Sequence, residues 1–128
     1  MAKITDDVQF GGSLNPGLFS DVAKEKAEKI AGDERTNKPT QLRRFYDEIV
    51  LWETRVGQQP DKFAEYLPFI RMVNAKAAYA EGRKLVNPDF VALMGHTLGQ
   101  VQDAKTLTHC KLFWEAFMGF YKQVRPKD

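Results

Sequence analysis

One cysteine (Cys110) and two histidines (His96 and His109) are all that 128 residues offer of the side chains that bind soft metals or cross-link chains. A single cysteine excludes internal disulfides and every Cys-rich metal site. The two histidines fall on different predicted helices, and no Asp or Glu is spaced to complete a ligand set with either. A lone helical histidine of this kind reads as structural or exposed, so no metal and no cofactor is expected. No apolar run approaches the roughly 20 residues of a membrane span. The first ten residues alternate charged and apolar character without the apolar stretch of a secretion signal, so the expected compartment is the cytoplasm. The phosphate-cradling loop G-x-x-x-x-G-K-[ST] is missing, and Gly11-Gly12 precedes no strand–helix unit. Small helical ribonucleases need an Arg four to six residues before a His on one helix, and no Arg precedes His96 or His109 at that spacing. Asp47, Glu48 and Glu53 lie among Arg43, Arg44 and Arg55, where intrahelical ion pairing accounts for them more simply than acid–base catalysis. No enzymatic constellation stands out.

What is present suits one domain with one core. Hydrophobic residues make up 43% and aromatics 12%, which argues against wholesale disorder. The net charge of +2 is unevenly placed: residues 1–34 hold four Lys/Arg against seven Asp/Glu, and residues 35–128 hold fifteen against ten. A mildly basic body permits a polyanionic partner without demanding one. Residues 1–17, with Gly11, Gly12, Pro16 and Gly17, read as a flexible N-terminal arm, and residues 18–128 as the helical domain.

No window alternates with a period of two, so the fold class is all-α: a single compact bundle of about five helices with short connections. A first helix over Phe19–Ala31 carries a thin apolar stripe and should pack only lightly. A second, from Gln41 to about Val56 with Thr40 as its cap, turns Leu42, Phe45, Ile49 and Trp52 inward. A third is expected to begin with Pro68 at its first position and to run to about Lys84, burying Phe69 and Val73. Asn87-Pro88-Asp89 opens a fourth, and the last spans about Thr106–Val124. The expected core is Phe45, Ile49, Trp52, Phe69, Val73, Phe113 and Phe117. The last helix, with Leu107, Cys110, Phe113, Trp114, Phe117, Met118, Phe120 and Tyr121, is apolar around half its circumference or more. Such a helix is either central to the bundle or also meets another chain, and together with Leu51 on the outer face of the second helix it hints at self-association.

On the third predicted helix, Met72, Lys76, Tyr79 and Arg83 share one side, adjacent to Phe69. A cation–aromatic–cation row suits a phosphate backbone, with a ring available for stacking. It equally suits two boundary cations snorkelling around a packed tyrosine, and periodicity leaves both readings open. Lys38 and Gln41 open the second helix, where free backbone N–H groups favour phosphate. Arg43 and Arg44 follow, in positions that surface ion pairs also explain.

Thr40-Gln41-Leu42-Arg43-Arg44-Phe45-Tyr46, Leu67-Pro68-Phe69-Ile70-Arg71-Met72 and Ala75-Lys76-Ala77-Ala78-Tyr79-Ala80-Glu81-Gly82-Arg83 occur in order, followed by Phe113 to Lys122. They resemble, respectively, the Q-L-R-x-F-Y, L-P-x-I-x-M and A-K-x-x-Y-A-x-G-R blocks and the aromatic last helix of the small helical subunit of type III-A CRISPR (Csm) effector complexes. That helix typically ends Tyr-Tyr-Lys, and here Phe120 replaces the first Tyr. The arm has no counterpart. The resemblance implies a non-catalytic bundle, repeated along guide RNA and its paired target RNA beside the backbone subunits. RNA cutting would then belong to those subunits, and DNA cleavage and cyclic-oligonucleotide synthesis to the large subunit. It also makes Lys38, Gln41, Arg43, Arg44, Lys76, Tyr79 and Arg83 the expected RNA contacts, through phosphate and sugar rather than base sequence. The alternative, from another class, is a helical protein–protein adaptor that touches no nucleic acid.

Overall fold

A computed structural model describes residues 2–127. Among them, a π-helical turn at Leu18–Val22 leads into α1 (Ala23–Ala31), followed by α2 (Pro39–Gln58), α3 (Phe63–Arg71), α4 (Val73–Gly82), α5 (Pro88–Gly99) and α6 (Ala104–Val124). Only Met72 separates α3 from α4, and it keeps a helical backbone (φ −63, ψ −18). The two read as one broken helix, which gives the five rods expected from the sequence in an all-α bundle. No helix in the described residues is long and apolar enough to cross a membrane.

Helix α6 is the axis of the bundle. Phe113, Trp114, Phe117 and Tyr121 are all buried along it, so its broad apolar surface is used inside the fold. Asp103 starts it by accepting from the Thr106 amide at 2.8 Å, while Thr106 Oγ1 accepts from the Asp103 amide at 3.1 Å. This reciprocal box satisfies donors that a helix start leaves open, and holds the Asp103 carboxyl below the usual range, chiefly through the Thr106 hydroxyl. Tyr121, one of the apolar residues that could have met another chain, is fully buried.

Helix α1 lies along α6 and contradicts the expectation of light packing. Ala23, Ala27 and Ile30 are fully buried, and so is Lys26, whose ammonium reaches Glu25 at 2.9 Å. Small residues make a thin stripe, but they let two helices approach closely.

The segment read as a flexible arm is docked. Val8 is fully buried, and Ile4, Phe10 and Leu14 pack on the core. Both histidines hold it: His96 Nε2 donates to the Val8 carbonyl at 2.6 Å, and His109 Nδ1 accepts from the Gly11 amide at 3.1 Å. Gln100 completes the clasp, accepting from the Phe10 amide at 2.7 Å and donating to the Val8 carbonyl at 3.0 Å.

Of the expected core residues, Trp52 is only half-buried against the core and Phe69 lies outside it. Helix α3 begins at Phe63, so Pro68 lies inside it rather than at its start. The buried stripe is Ile70, Val73, Ala77 and Ala80, a run of i, i+3, i+7 and i+10. Phe69 is left 55% exposed and stacks on the half-buried Trp52 at 5.9 Å between ring centroids.

Candidate nucleic-acid interface

The α2–α4 side of the bundle is organised from one buried residue, Asn37. It sits at φ +59, a conformation that asparagine tolerates better than most side chains. Its side chain donates to the Ile30 carbonyl at 3.2 Å and accepts from the Asn87 amide at 3.0 Å. Its own amide donates to the Leu85 carbonyl at 2.9 Å. Its carbonyl accepts from the Tyr121 hydroxyl and from Arg125, and the same guanidinium also holds the carbonyls of Asp33, Glu34 and Thr36. The end of α1, the α4–α5 connection and the end of α6 therefore meet one residue before Lys38. From that anchor Pro39 takes the first position of α2, which needs no N–H.

Between α2 and α4 runs a groove of about 270 Å³, lined by Gln41, Arg44, Phe45, Glu48, Lys76, Tyr79, Ala80, Arg83 and Leu85. Five of the seven residues expected from the sequence, Gln41, Arg44, Lys76, Tyr79 and Arg83, meet here. Val73, Ala77 and Ala80 pin α4 to the core with small side chains, which aims Lys76, Tyr79 and Arg83 outward. Tyr79 is 68% exposed, and the Arg83 guanidinium carbon lies 5.9 Å from its ring centroid. Neither is a packed boundary residue.

Arg43 faces elsewhere. It pairs with Asp47 (Nε–Oδ1 3.4 Å) and lines a second groove of about 490 Å³ between the start of α2 and the end of α6, with Pro39, Thr40, Arg44, Met118, Tyr121 and Lys122. Arg44 borders both grooves and forms the ridge between them. Lys38 is exposed at the start of α2, outside both linings.

Charge balance sets the character of the α2–α4 groove. It holds three cations and one carboxylate, Glu48, which bridges Lys76 Nζ at 2.7 and 2.9 Å. Lys38, Arg44 and Arg83 have no carboxylate within 4.0 Å among the described residues. Cations without internal partners, such as Arg44 and Arg83 here, suit a polyanion. Among the described residues, no three His, Cys, Asp or Glu side chains converge on one point.

Sequence reasoning missed Glu48 as a groove residue, because its pairing with Lys76 joins two helices 28 positions apart. It also missed Lys122, although that residue closes the aromatic block already noted in the last helix.

The class defined by this geometry is an all-α bundle presenting a cationic face. The model of the Csm2 type III-A family matches residues 17–127, and the chain belongs to that family. It is therefore a small subunit of a type III-A CRISPR effector complex. No curated protein and no solved structure matches the chain.

Proposed function

We propose that this subunit is non-catalytic and holds RNA by its phosphates, lining guide RNA and paired target RNA in repeated copies beside the backbone and large subunits. The observation that carries the reading is the convergence of Arg44, Lys76 and Arg83 on one groove, two of them without an internal carboxylate. Base pairing to the guide already supplies sequence information, so backbone contacts suffice. One bundle offers few contacts and binds weakly alone, while repetition raises affinity through effective concentration.

The test is Lys76→Ala combined with Arg83→Ala, assayed in the isolated chain and in the assembled complex. The log K versus log salt slope is expected to fall by roughly 0.7–0.9 for each lost phosphate contact, equally for unrelated RNA sequences. Unchanged affinity at low salt would remove the RNA assignment.

A second reading, a protein–protein adaptor, draws on Phe69, Met72 and Leu51, which are 55%, 53% and 44% exposed, with Phe69 stacked on the half-buried Trp52. Exposed apolar side chains of this kind suit a neighbouring subunit or another copy of the chain. The two readings part on salt: an apolar contact has no counterion-release slope. An adaptor alone would also leave RNA retention untouched in the double variant.

A further inference from the structure

We propose that Tyr79 is a stacking platform for the base of an unpaired nucleotide, whose flanking phosphates are taken by Lys76, Arg83 and Arg44. The proposal rests on the RNA reading above and goes beyond it, because phosphate contacts alone leave the tyrosine unexplained. At 68% exposure the ring adds almost nothing to the core, and its neighbours Ala77 and Ala80 carry the packing of α4. The Arg83 guanidinium approaches the ring at 5.9 Å, and the high exposure leaves ring surface open to solvent. A flat π surface backed by a guanidinium is the chemistry used to hold splayed-out bases, and it accepts every base because each has a π face. Tyr79 also lies about one helical turn from each of the two cations of its row, so a stacked base brings its own phosphates within reach of both.

Gln41 lines the opposite wall of the groove and offers both a donor and an acceptor, which suits a base edge without selecting one. A protein partner fits this ring less well. Covering Tyr79 with an apolar surface would desolvate Lys76 and Arg83 on either side of it, whereas RNA brings a counter-charge for each. Paired bases are already stacked inside their helix, so the ring selects unpaired nucleotides: single strands, bulges or ends.

The experiment compares two RNA duplexes of equal length, one fully paired and one with a single unpaired 2-aminopurine, binding to the full chain at low salt. The bulged duplex is expected to bind more tightly, with quenched 2-aminopurine fluorescence. Tyr79→Ala should cost about 5- to 150-fold on the bulged duplex, the range of one base–aromatic stack. The paired duplex and the salt slope should be unaffected. Tyr79→Trp should restore both affinity and quenching, which a merely structural role would not. Equal binding of the two duplexes by the unaltered chain overturns the stacking site, and so does Tyr79→Ala leaving the difference intact. If Lys76→Ala with Arg83→Ala still lowers the salt slope in that case, only the stacking site has failed. If neither set of variants alters RNA binding, the RNA reading has failed as well. Loss of subunit assembly by Tyr79→Ala with RNA binding unchanged would reassign the ring to a protein contact.

Discussion

Helix α6 turns Phe113, Trp114, Phe117 and Tyr121 into the core, whereas α4 holds on with Val73, Ala77 and Ala80 and leaves Lys76, Tyr79 and Arg83 in solvent. Aromatic side chains bury 150–250 Å² each. The α6 face therefore supplies a large share of the burial in a domain this small, and the α4 face supplies little. The contrast separates two tasks. One helix keeps the bundle folded, and the other carries a row of side chains whose identity the fold hardly constrains. The exposed row on α4 is free to carry charge because the stability lies elsewhere.

Truncations on the two helices test that separation most directly. Phe117→Ala removes a fully buried ring that stacks on Tyr121 at 5.4 Å between centroids. It should cost roughly 3–5 kcal/mol in chemical denaturation. Tyr79→Ala removes a ring of similar size and should stay within about 0.5 kcal/mol of the unaltered chain. Comparable losses at the two positions would erase the distinction.

Asn37 is where the two regions join, and it carries the next largest effect. Asn37→Ala deletes two side-chain hydrogen bonds in a fully buried position and puts at φ +59 a residue that tolerates it less well than asparagine. Each buried partner left unpaired costs about 1–3 kcal/mol. Asn37→Gly loses the same bonds but adopts positive φ freely, so it should recover roughly 1 kcal/mol relative to alanine. Glycine no better than alanine would show that the backbone conformation contributes nothing. Because Lys38 and Pro39 follow directly, either variant should also weaken RNA retention if the start of α2 is what positions Gln41 and Arg44.

The same contrast explains what the sequence could disclose. Helices α5 and α6 were legible because their signals are local: Asn87-Pro88 caps the first, with the Asn87 side chain accepting from the Phe90 amide, and aromatic periodicity outlines the second. The groove was legible in composition, since the cation–aromatic row follows helical spacing. Its outward orientation was not. That depended on the phase of one helix, and treating Pro68 as a start rather than an interior residue moved Phe69 into the core in place of Ile70. The docked arm gave no periodic signal because Ile4, Val8, Phe10 and Leu14 are set in irregular backbone. Their partners His96, Gln100 and His109 lie about 90 positions away. Asn37 reads locally as a break before proline, and its role emerges only when Ile30, Leu85, Asn87, Tyr121 and Arg125 are brought around it.

Glu48 supplies the smallest and sharpest test, because it is the one acid lining a groove that also holds Arg44, Lys76 and Arg83. Its bridge to Lys76 joins the two walls at 2.7 Å, with the lysine side chain 49% exposed and the carboxylate 23% exposed. Pairs this open to solvent contribute little, typically about 0–1 kcal/mol, so Glu48→Gln should leave folding nearly unchanged. Its effect on RNA depends on what the pair does. If Glu48 only competes with phosphate for the lysine, removing its charge frees Lys76. Affinity should then rise, and the log–log salt slope should steepen by up to roughly 0.7–0.9, the value of one additional phosphate contact. If Glu48 instead orients Lys76 toward the strand, affinity should fall with the slope unchanged. The charge balance of the groove favours the first outcome, since Arg44 and Arg83 have no such carboxylate partner among the described residues. Salt titrations of Glu48→Gln and of Glu48→Gln with Lys76→Ala decide it. The gain must disappear when the lysine is gone, and a gain that survives in the double variant would mean that Glu48 repels RNA through the field of the whole groove rather than by occupying Lys76.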